Sequence, residues 1–473
     1  MRSMRGLAVF GAMLLCLASS PAPPDDPVER LIADGLRSDG AYRKLAWLTD
    51  RIGPRLSGSE NLKKAIAWCT DEMKRDRLDR VWTEKVMVPH WVRGEAEGKI
   101  LAPAEHPLVL LALGMSDATP GNGITAEVVE VSSLDEVKAL GDRAKGKIVL
   151  FNHRIFPNGT DERGYGFASG LRYSGASAAA KVGAVGMLIR SLATADLRLP
   201  HTGAMAYEAD VPHVPATAIA PEDAELIHRF LEAGETVKVF FRQTCRTLPD
   251  AESANTLGEI RGSEKPDEVV VIGGHLDSWD VGTGAQDDGA GVAITMEAIR
   301  LIRAVDLKPK RTIRAVLYTN EENGLRGGKG YADAHRDQLA LHVAAIESDS
   351  GGARPLGFGV SAGPGGVDVV RTLAAPLASI AADDVKDSGG GADISPMGDA
   401  GVPTLGLRQD STHYFDIHHT MADTLDKVDP HDLAMNATAM AVMAWQLANL
   451  DTPLPRYVST KKEDISRPPG IRR

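Results

Sequence analysis

Glu268-Val-Val-Val-Ile272 runs directly into Gly273-Gly274-His275-Leu276-Asp277. β-Branched residues facing both sides of the pleat suit a strand covered on both faces, as in a parallel sheet between helices. A helical pattern follows, with Val292, Met296, Ile299 and Ile302 on one face. Thr312–Tyr318, His342–Ile346 and Val402–Leu407 read as further strands, and Pro430–Leu450 as a long helix. Strands alternating with helices predict an α/β fold.

That fold says where chemistry belongs, because open α/β sheets bind ligands at the carboxyl ends of their strands. Three predicted strands end in polar clusters: His275-Leu-Asp277, Asn320-Glu321-Glu322 and Glu347-Ser348-Asp349. Two more follow the same logic, Asp287-Asp288-Gly289 at a helix start and His418-His419-Thr-Met-Ala-Asp423-Thr424. Singly, each reads as a loop, a cap or a solvated pair. Together they offer what a hydrolytic zinc site needs: imidazole nitrogen, carboxylate oxygen and a position open to water. Two metals about 3.5–4 Å apart need a shared carboxylate and further ligands for each. A structural calcium pocket is the alternative, disfavoured by the two histidines because calcium takes oxygen ligands. The carboxylate of Asp277 stands two residues from His275 and can accept its second ring N–H. A glutamate beside a ligand, as in Glu321-Glu322, can act as base toward an activated water.

The rest of the chain frames this centre. Its 473 residues allow two or three domains. A hydrophobic share of 43% and a charged share of 25% fit a folded protein, and the net charge of −11 weighs against nonspecific binding to nucleic acid or anionic membrane. Arg2 and Arg5, the apolar run Leu7–Leu17 and the small residues to Ala22 read as a signal peptide over 1–22, hence a secreted or periplasmic protein. No uncharged stretch reaches the roughly 18 residues of a membrane span. Residues 23–119 begin helical, and 120–246 hold short β-rich runs with two helical stretches, a separate α+β unit. Residues 247–451 carry the strand-end clusters, and 452–473 read as a surface tail. Beyond the signal segment only Cys69 and Cys245 remain, as one disulfide or two buried thiols. Asn158-Gly-Thr160 and Asn436-Ala-Thr438 match the glycosylation pattern, the second discounted because it falls in a predicted helix.

The clusters resemble those of the co-catalytic di-zinc exopeptidases, the family of bacterial leucyl aminopeptidases and glutamate carboxypeptidase II. The carriers are His275-Leu-Asp-Ser-Trp-Asp-Val-Gly-Thr-Gly-Ala-Gln-Asp-Asp-Gly-Ala-Gly291, Glu321-Glu322, Glu347-Ser-Asp349 and His419-x-x-x-Asp423-Thr424. Ile52-Gly-Pro-Arg-Leu-Ser-Gly-Ser59 is similar to the family's early loop. Pro89-His-Trp-Val-Arg-Gly-Glu95, Gly183-Ala-Val-Gly-Met-Leu-Ile-Arg-Ser191 and Pro200-His-Thr-Gly203 point to its carboxypeptidase Q branch. The likeness spans nearly all of residues 28–450.

The resemblance implies a zinc-exopeptidase fold, a largely parallel mixed sheet between helices, with 120–246 as an inserted protease-associated domain. It implies two Zn2+ per chain, held by His275, Asp287, Glu322, Asp349 and His419. Asp287 would bridge, Asp349 and His275 would complete one metal, and Glu322 and His419 the other. Glu321 would be the general base and Asp277 would orient His275. Asp288 would matter through its backbone, since the family has a strained peptide bond after the bridging Asp. Some relatives carry a tyrosine before the last ligand, which polarises the reaction intermediate. His418 stands there in this chain and takes that electrophile role, with Tyr414 as the other candidate, at the substrate. The implied activity is hydrolysis of short peptides or dipeptides, with aminopeptidase, carboxypeptidase and dipeptidase action all open, and a homodimer is expected. A non-catalytic receptor on this fold and a single-zinc, glutaminyl-cyclase-like enzyme are the rivals, and the complete five-ligand set disfavours both.

Overall fold

The computed structural model describes residues 26–156, 164–195, 197–306 and 308–457. The signal-peptide segment 1–22, the Asn158 acceptor site and the tail from 458 lie outside the described residues.

One eight-stranded sheet has the order Arg80–Val92, Arg246–Ile260, Arg311–Tyr318, Lys265–His275, His342–Glu347, Thr404–Gln409, Pro355–Ser361 and Asp384–Lys386. Its middle four strands are mutually parallel, and antiparallel pairs flank them. The alternation of Lys265–His275 is visible in its packing. Val270 and Ile272 enter the main core with the helices Ala290–Ala304 and Pro430–Asn449. Val269 and Val271 enter a second cluster, with Tyr331 of the helix Arg326–Ala334 and Met397. Successive side chains leave a strand on opposite faces, so a strand buried on both sides needs an unbroken apolar run. The expected α/β architecture, a mixed and largely parallel sheet between helices, is what the chain adopts.

A second eight-stranded sheet runs His106–Pro107, Ala96–Ala102, Lys238–Gln243, Ile124–Val131, Ile148–Phe151, Gly186–Arg190, Ala216–Ile219 and Leu110–Ala112. Helix Tyr165–Lys181 covers one face beside Val149 and Phe151, and Pro221–Glu232 covers the other beside Ile148 and Leu150. The three strands between 96 and 112 belong to this sheet, so the expected limit at 119/120 falls within it. Prolines at 103 and 107 and the lack of alternation hide those short strands from a sequence reading. The chain leaves the first sheet after Val92 and rejoins it at Arg246, and those two long strands pair antiparallel side by side.

Helix Tyr165–Lys181 starts well before the predicted Ala176–Val182, because packing overrides the weak propensity of Gly166 and Gly170. Cys69 and Cys245 are both free and buried, in separate clusters. Asn436 is fully buried and donates to the carbonyls of Ala353 and Asp432, which closes it to glycosylation. Among the described residues no helix is long and apolar enough to cross a membrane.

Candidate metal centre

The parallel strands deliver the side chains in order. Lys265–His275 ends on His275, and the loops after Arg311–Tyr318 and His342–Glu347 bring Glu321, Glu322 and Asp349 beside it. Asp287 lies in the turn before helix Ala290–Ala304, where the Asp287–Asp288 peptide is cis. Asp423 holds this turn by accepting from the backbone N–H groups of Ala285, Gln286 and Asp287. The Asp288 carboxylate accepts from the N–H of His275 at 3.0 Å and of Gly291 at 2.9 Å. Asp288 therefore also works through its side chain, which ties the strand end to the helix start.

Two triads of donor atoms share Asp287: His275 with Asp349, and Glu322 with His419. His275 Nε2 lies 3.2 Å from Asp287 Oδ1 and 3.5 Å from Asp349 Oδ1. His419 Nε2 lies 3.0 Å from Asp287 Oδ2 and 3.1 Å from Glu322 Oε2. The ring tautomers follow from the other nitrogens. His275 Nδ1 donates to the Asp277 carbonyl at 3.0 Å and His419 Nδ1 to the Thr202 carbonyl at 3.3 Å. A metal-ligating imidazole is neutral with one N–H, so both Nε2 atoms then turn lone pairs toward carboxylate oxygens. With no cation between them, burial disfavours the charged His275 ring, but Asp287 and Asp349 outweigh it and hold its pKa well above the usual value. With both rings neutral, the facing atoms of each triad are all acceptors, and the ring nitrogen placed to donate to Asp287 Oδ2 is His418 Nε2, 3.1 Å away and outside both triads. Such a set suits a cation, and nitrogen with carboxylate oxygen is the donor set of zinc.

The electrostatics agree. Burial pushes the Glu321 and Glu322 carboxyls well above their ordinary range, and the neighbouring carboxylates Asp349 and Asp287 add to it. Burial acts on Asp287 in the same sense, but His418, His275 and His419 outweigh it and hold this carboxyl well below its usual value.

Three features depart from the sequence reading. The ring N–H of His275 goes to the backbone carbonyl of Asp277, while its carboxylate stands 3.8 Å away. That carboxylate instead accepts from the N–H of Glu321 at 3.0 Å, the N–H of Glu322 at 3.4 Å and the Ser57 hydroxyl at 3.1 Å. Asp277 thus orients His275 through its main chain and the Glu321-Glu322 pair through its side chain. His201 and Thr202, read only as part of a branch marker, reach the centre from the second sheet's unit. His201 Nε2 lies 3.2 Å from His418 Nδ1. The early loop also joins the centre, through Ser57 and through Arg55, whose guanidinium binds the carbonyls of Leu276, Thr283 and Gly284.

Beside the triads opens a cavity of about 610 Å3. Glu321, His418 and Tyr414 line one wall, and Tyr165, Arg172 and Tyr207 of the second sheet's unit line the other. The Tyr414 ring sits 4.9 Å from that of His418. The cavity is thus composite, and a ligand reaching the centre touches both units.

The model of Peptidase family M28 matches residues 255–444. Carboxypeptidase Q of Mus musculus is 40% identical over 422 residues, covering 89% of this chain and 88% of the relative. The Xenopus laevis protein of the same name is 41% identical over 426 residues, 90% of this chain and 89% of its own. A solved peptidase M28 precursor from Shewanella amazonensis superimposes with a TM-score of 0.88 at 40% identity, covering 92% of this chain and 98% of its own. A zinc aminopeptidase from Bacillus subtilis shares the fold at 21% identity, with a TM-score of 0.64 over 86% of this chain and 94% of that one. With likeness of this extent, and with its acceptor-only triads at the strand ends, the chain belongs to peptidase family M28 and is a metallopeptidase.

Proposed function

We propose that the chain is a di-zinc exopeptidase acting on short peptides or dipeptides. The observation that carries this reading is the pair of acceptor-only triads sharing Asp287. His275 and Asp349 would hold one zinc and Glu322 and His419 the other, with Asp287 available to both. Zinc in such a site polarises a carbonyl and makes water a nucleophile near neutral pH.

The protein's own groups do the rest. Glu321, on the cavity wall beside Glu322, takes the proton from the attacking water and returns it to the leaving amine. Asp277 holds the Glu321 backbone so that its carboxylate keeps this place. His418 donates toward the oxygen that gains charge, and Tyr414 contacts the bound peptide. The second sheet's unit, as an inserted protease-associated domain, closes the cavity and limits peptide length, which supports action at chain ends. Export through the N-terminal segment and a homodimer belong to the same reading.

Glu321→Gln tests it. Zinc content, by plasma mass spectrometry, stays near two per chain while turnover of a dipeptide panel falls at least about 100-fold. Retained activity in zinc-loaded Glu321→Gln protein sinks the base assignment. Acetylated and amidated versions of each hit then sort the action: loss on acetylation alone marks an aminopeptidase, loss on amidation alone a carboxypeptidase, and loss on both a dipeptidase.

A further inference from the structure

His201 is 1% exposed and comes from the second sheet's unit, yet its ring meets the reaction centre. Its Nε2 shares one hydrogen bond with Nδ1 of His418. On the far side of the His418 ring, Nε2 lies 3.1 Å from Asp287 Oδ2. The Tyr165 ring packs edge-on against both imidazoles, with centroids 5.2 Å from His418 and 5.6 Å from His201. The pair is held in place, and the open question is which nitrogen carries the proton.

Two arrangements exist, and they differ in cost. If His418 donated through Nδ1, its Nε2 lone pair would face the Asp287 carboxylate. His201 would then carry its own proton on Nδ1, a buried atom with no partner among the described residues. A buried N–H without an acceptor is rarer and costlier than an unshared lone pair. If His201 donates through Nε2, both problems vanish: His418 Nδ1 accepts and its Nε2–H faces Asp287 Oδ2 on the cavity side.

We propose that His201 is a positioning residue that fixes His418 as the Nε2–H tautomer, so that the donor facing Asp287 Oδ2 on the cavity wall serves the carbonyl oxygen under attack once substrate is bound. This deepens the exopeptidase reading and rests on it. It makes the second sheet's unit part of the catalytic apparatus, since the donor on one unit is set by a side chain of the other. No proton leaves the His201–His418 pair in this role. The bond only selects the tautomer.

The first test reads the tautomer without substrate or metal. In metal-free protein with 15N-labelled histidine rings, long-range 1H–15N correlations, assigned with His418→Gln, show His418 protonated at Nε2. His201→Leu turns that signal into a mixture of tautomers. Protonation at Nδ1 in the wild type, or an unchanged pattern in His201→Leu, overturns the proposal.

The second test is kinetic. His201→Leu lowers kcat about 30-fold with KM changed less than about threefold, since the donor matters to the transition state. Glutamine carries an amide N–H near the position of His201 Nε2, and His201→Gln brings kcat back to within about threefold. A glutamine variant as impaired as the leucine one reduces His201 to packing and overturns the proposal, as does full activity in His201→Leu. If zinc-loaded wild type hydrolyses no peptide at all, the exopeptidase reading fails, while the spectra still decide the tautomer.

Discussion

The carboxylate of Asp277 accepts the backbone N–H of Glu321 at 3.0 Å, and that of Glu322 at 3.4 Å. One buried side chain thus sets the position of both the proposed base, Glu321, and Glu322, the glutamate proposed as a metal ligand. Asp277→Asn keeps the shape but turns part of the acceptor into a donor facing those N–H groups. We expect kcat to fall about 10- to 100-fold, the usual effect of losing an outer partner of a metal site. Circular dichroism should stay unchanged. An Asp277→Asn enzyme with wild-type kcat removes the carboxylate from the mechanism.

Sharing of Asp287 predicts an asymmetric pattern of metal loss. Asp287 belongs to both triads, whereas Glu322 and Asp349 each belong to one. Asp287→Asn should therefore lose both zinc ions, while Glu322→Gln and Asp349→Asn each retain about one per chain. Dialysed proteins measured by plasma mass spectrometry decide it. Equal losses in all three variants contradict the bridging role.

Four of the five clusters were legible because each follows a strand or opens a helix whose apolar pattern is local and regular, while the cluster at 418–424 was legible only through its resemblance to the family motif. What the sequence hid was contact across the two units. His201 and Thr202 sit in an irregular stretch, and the docking of residues 414–419 onto that stretch is what joins them to the metal triads. The role of Asp277 was half legible: a two-residue offset lets either its carbonyl or its carboxylate reach His275. The geometry chose the carbonyl and freed the carboxylate for Glu321.

Removal of metal should destabilise the fold as well as stop turnover. Buried acceptors that face one another repel once no cation separates them, and ligand that binds only the folded state stabilises it by mass action. A chelator should lower the melting temperature by several degrees, about 2–4 °C per kcal/mol for units of this size. Zinc should restore it. An unchanged melting temperature after complete zinc removal would mean the triads are satisfied by protons instead.

His342, far from the metal triads, gives the folded state an acid sensitivity of its own. Its Nδ1 donates to the Gln338 carbonyl at 3.0 Å and its Nε2 accepts from the Tyr331 hydroxyl at 2.9 Å, so the buried ring is neutral. Burial lowers its pKa from 6.5 to about 4. Between those values the unfolded chain binds the extra proton, so stability is full above pH 6.5 and declines as the pH falls toward 4. The full effect is about 3 kcal/mol, of which about 2 is lost by pH 5. In urea unfolding, the stability gap between wild type and His342→Gln should shrink by that amount from pH 7 to pH 5. A gap that stays constant shows that His342 does not titrate in this window.

Arg55 ties the early loop to the segment that leads from His275 to Asp287, and its replacement should separate shape from charge. Its side chain is fully buried and reaches the carbonyls of Leu276 at 2.8 Å, Thr283 at 2.7 Å, Gly284 at 3.0 Å and Gly53 at 3.1 Å. Burial lowers its pKa, yet a guanidinium stays charged, and its planar fork spreads donors over four acceptors. Arg55→Lys keeps the charge on one compact ammonium that cannot span them, so buried carbonyls are left unpaired. We expect a loss of roughly 2–4 kcal/mol in urea unfolding. Because residues 276–284 lead from His275 to Asp287, zinc affinity should fall in the same variant, read by competition with a coloured chelator. A lysine variant with unchanged stability and zinc affinity would show that the charge alone, not the fork, is what this loop requires.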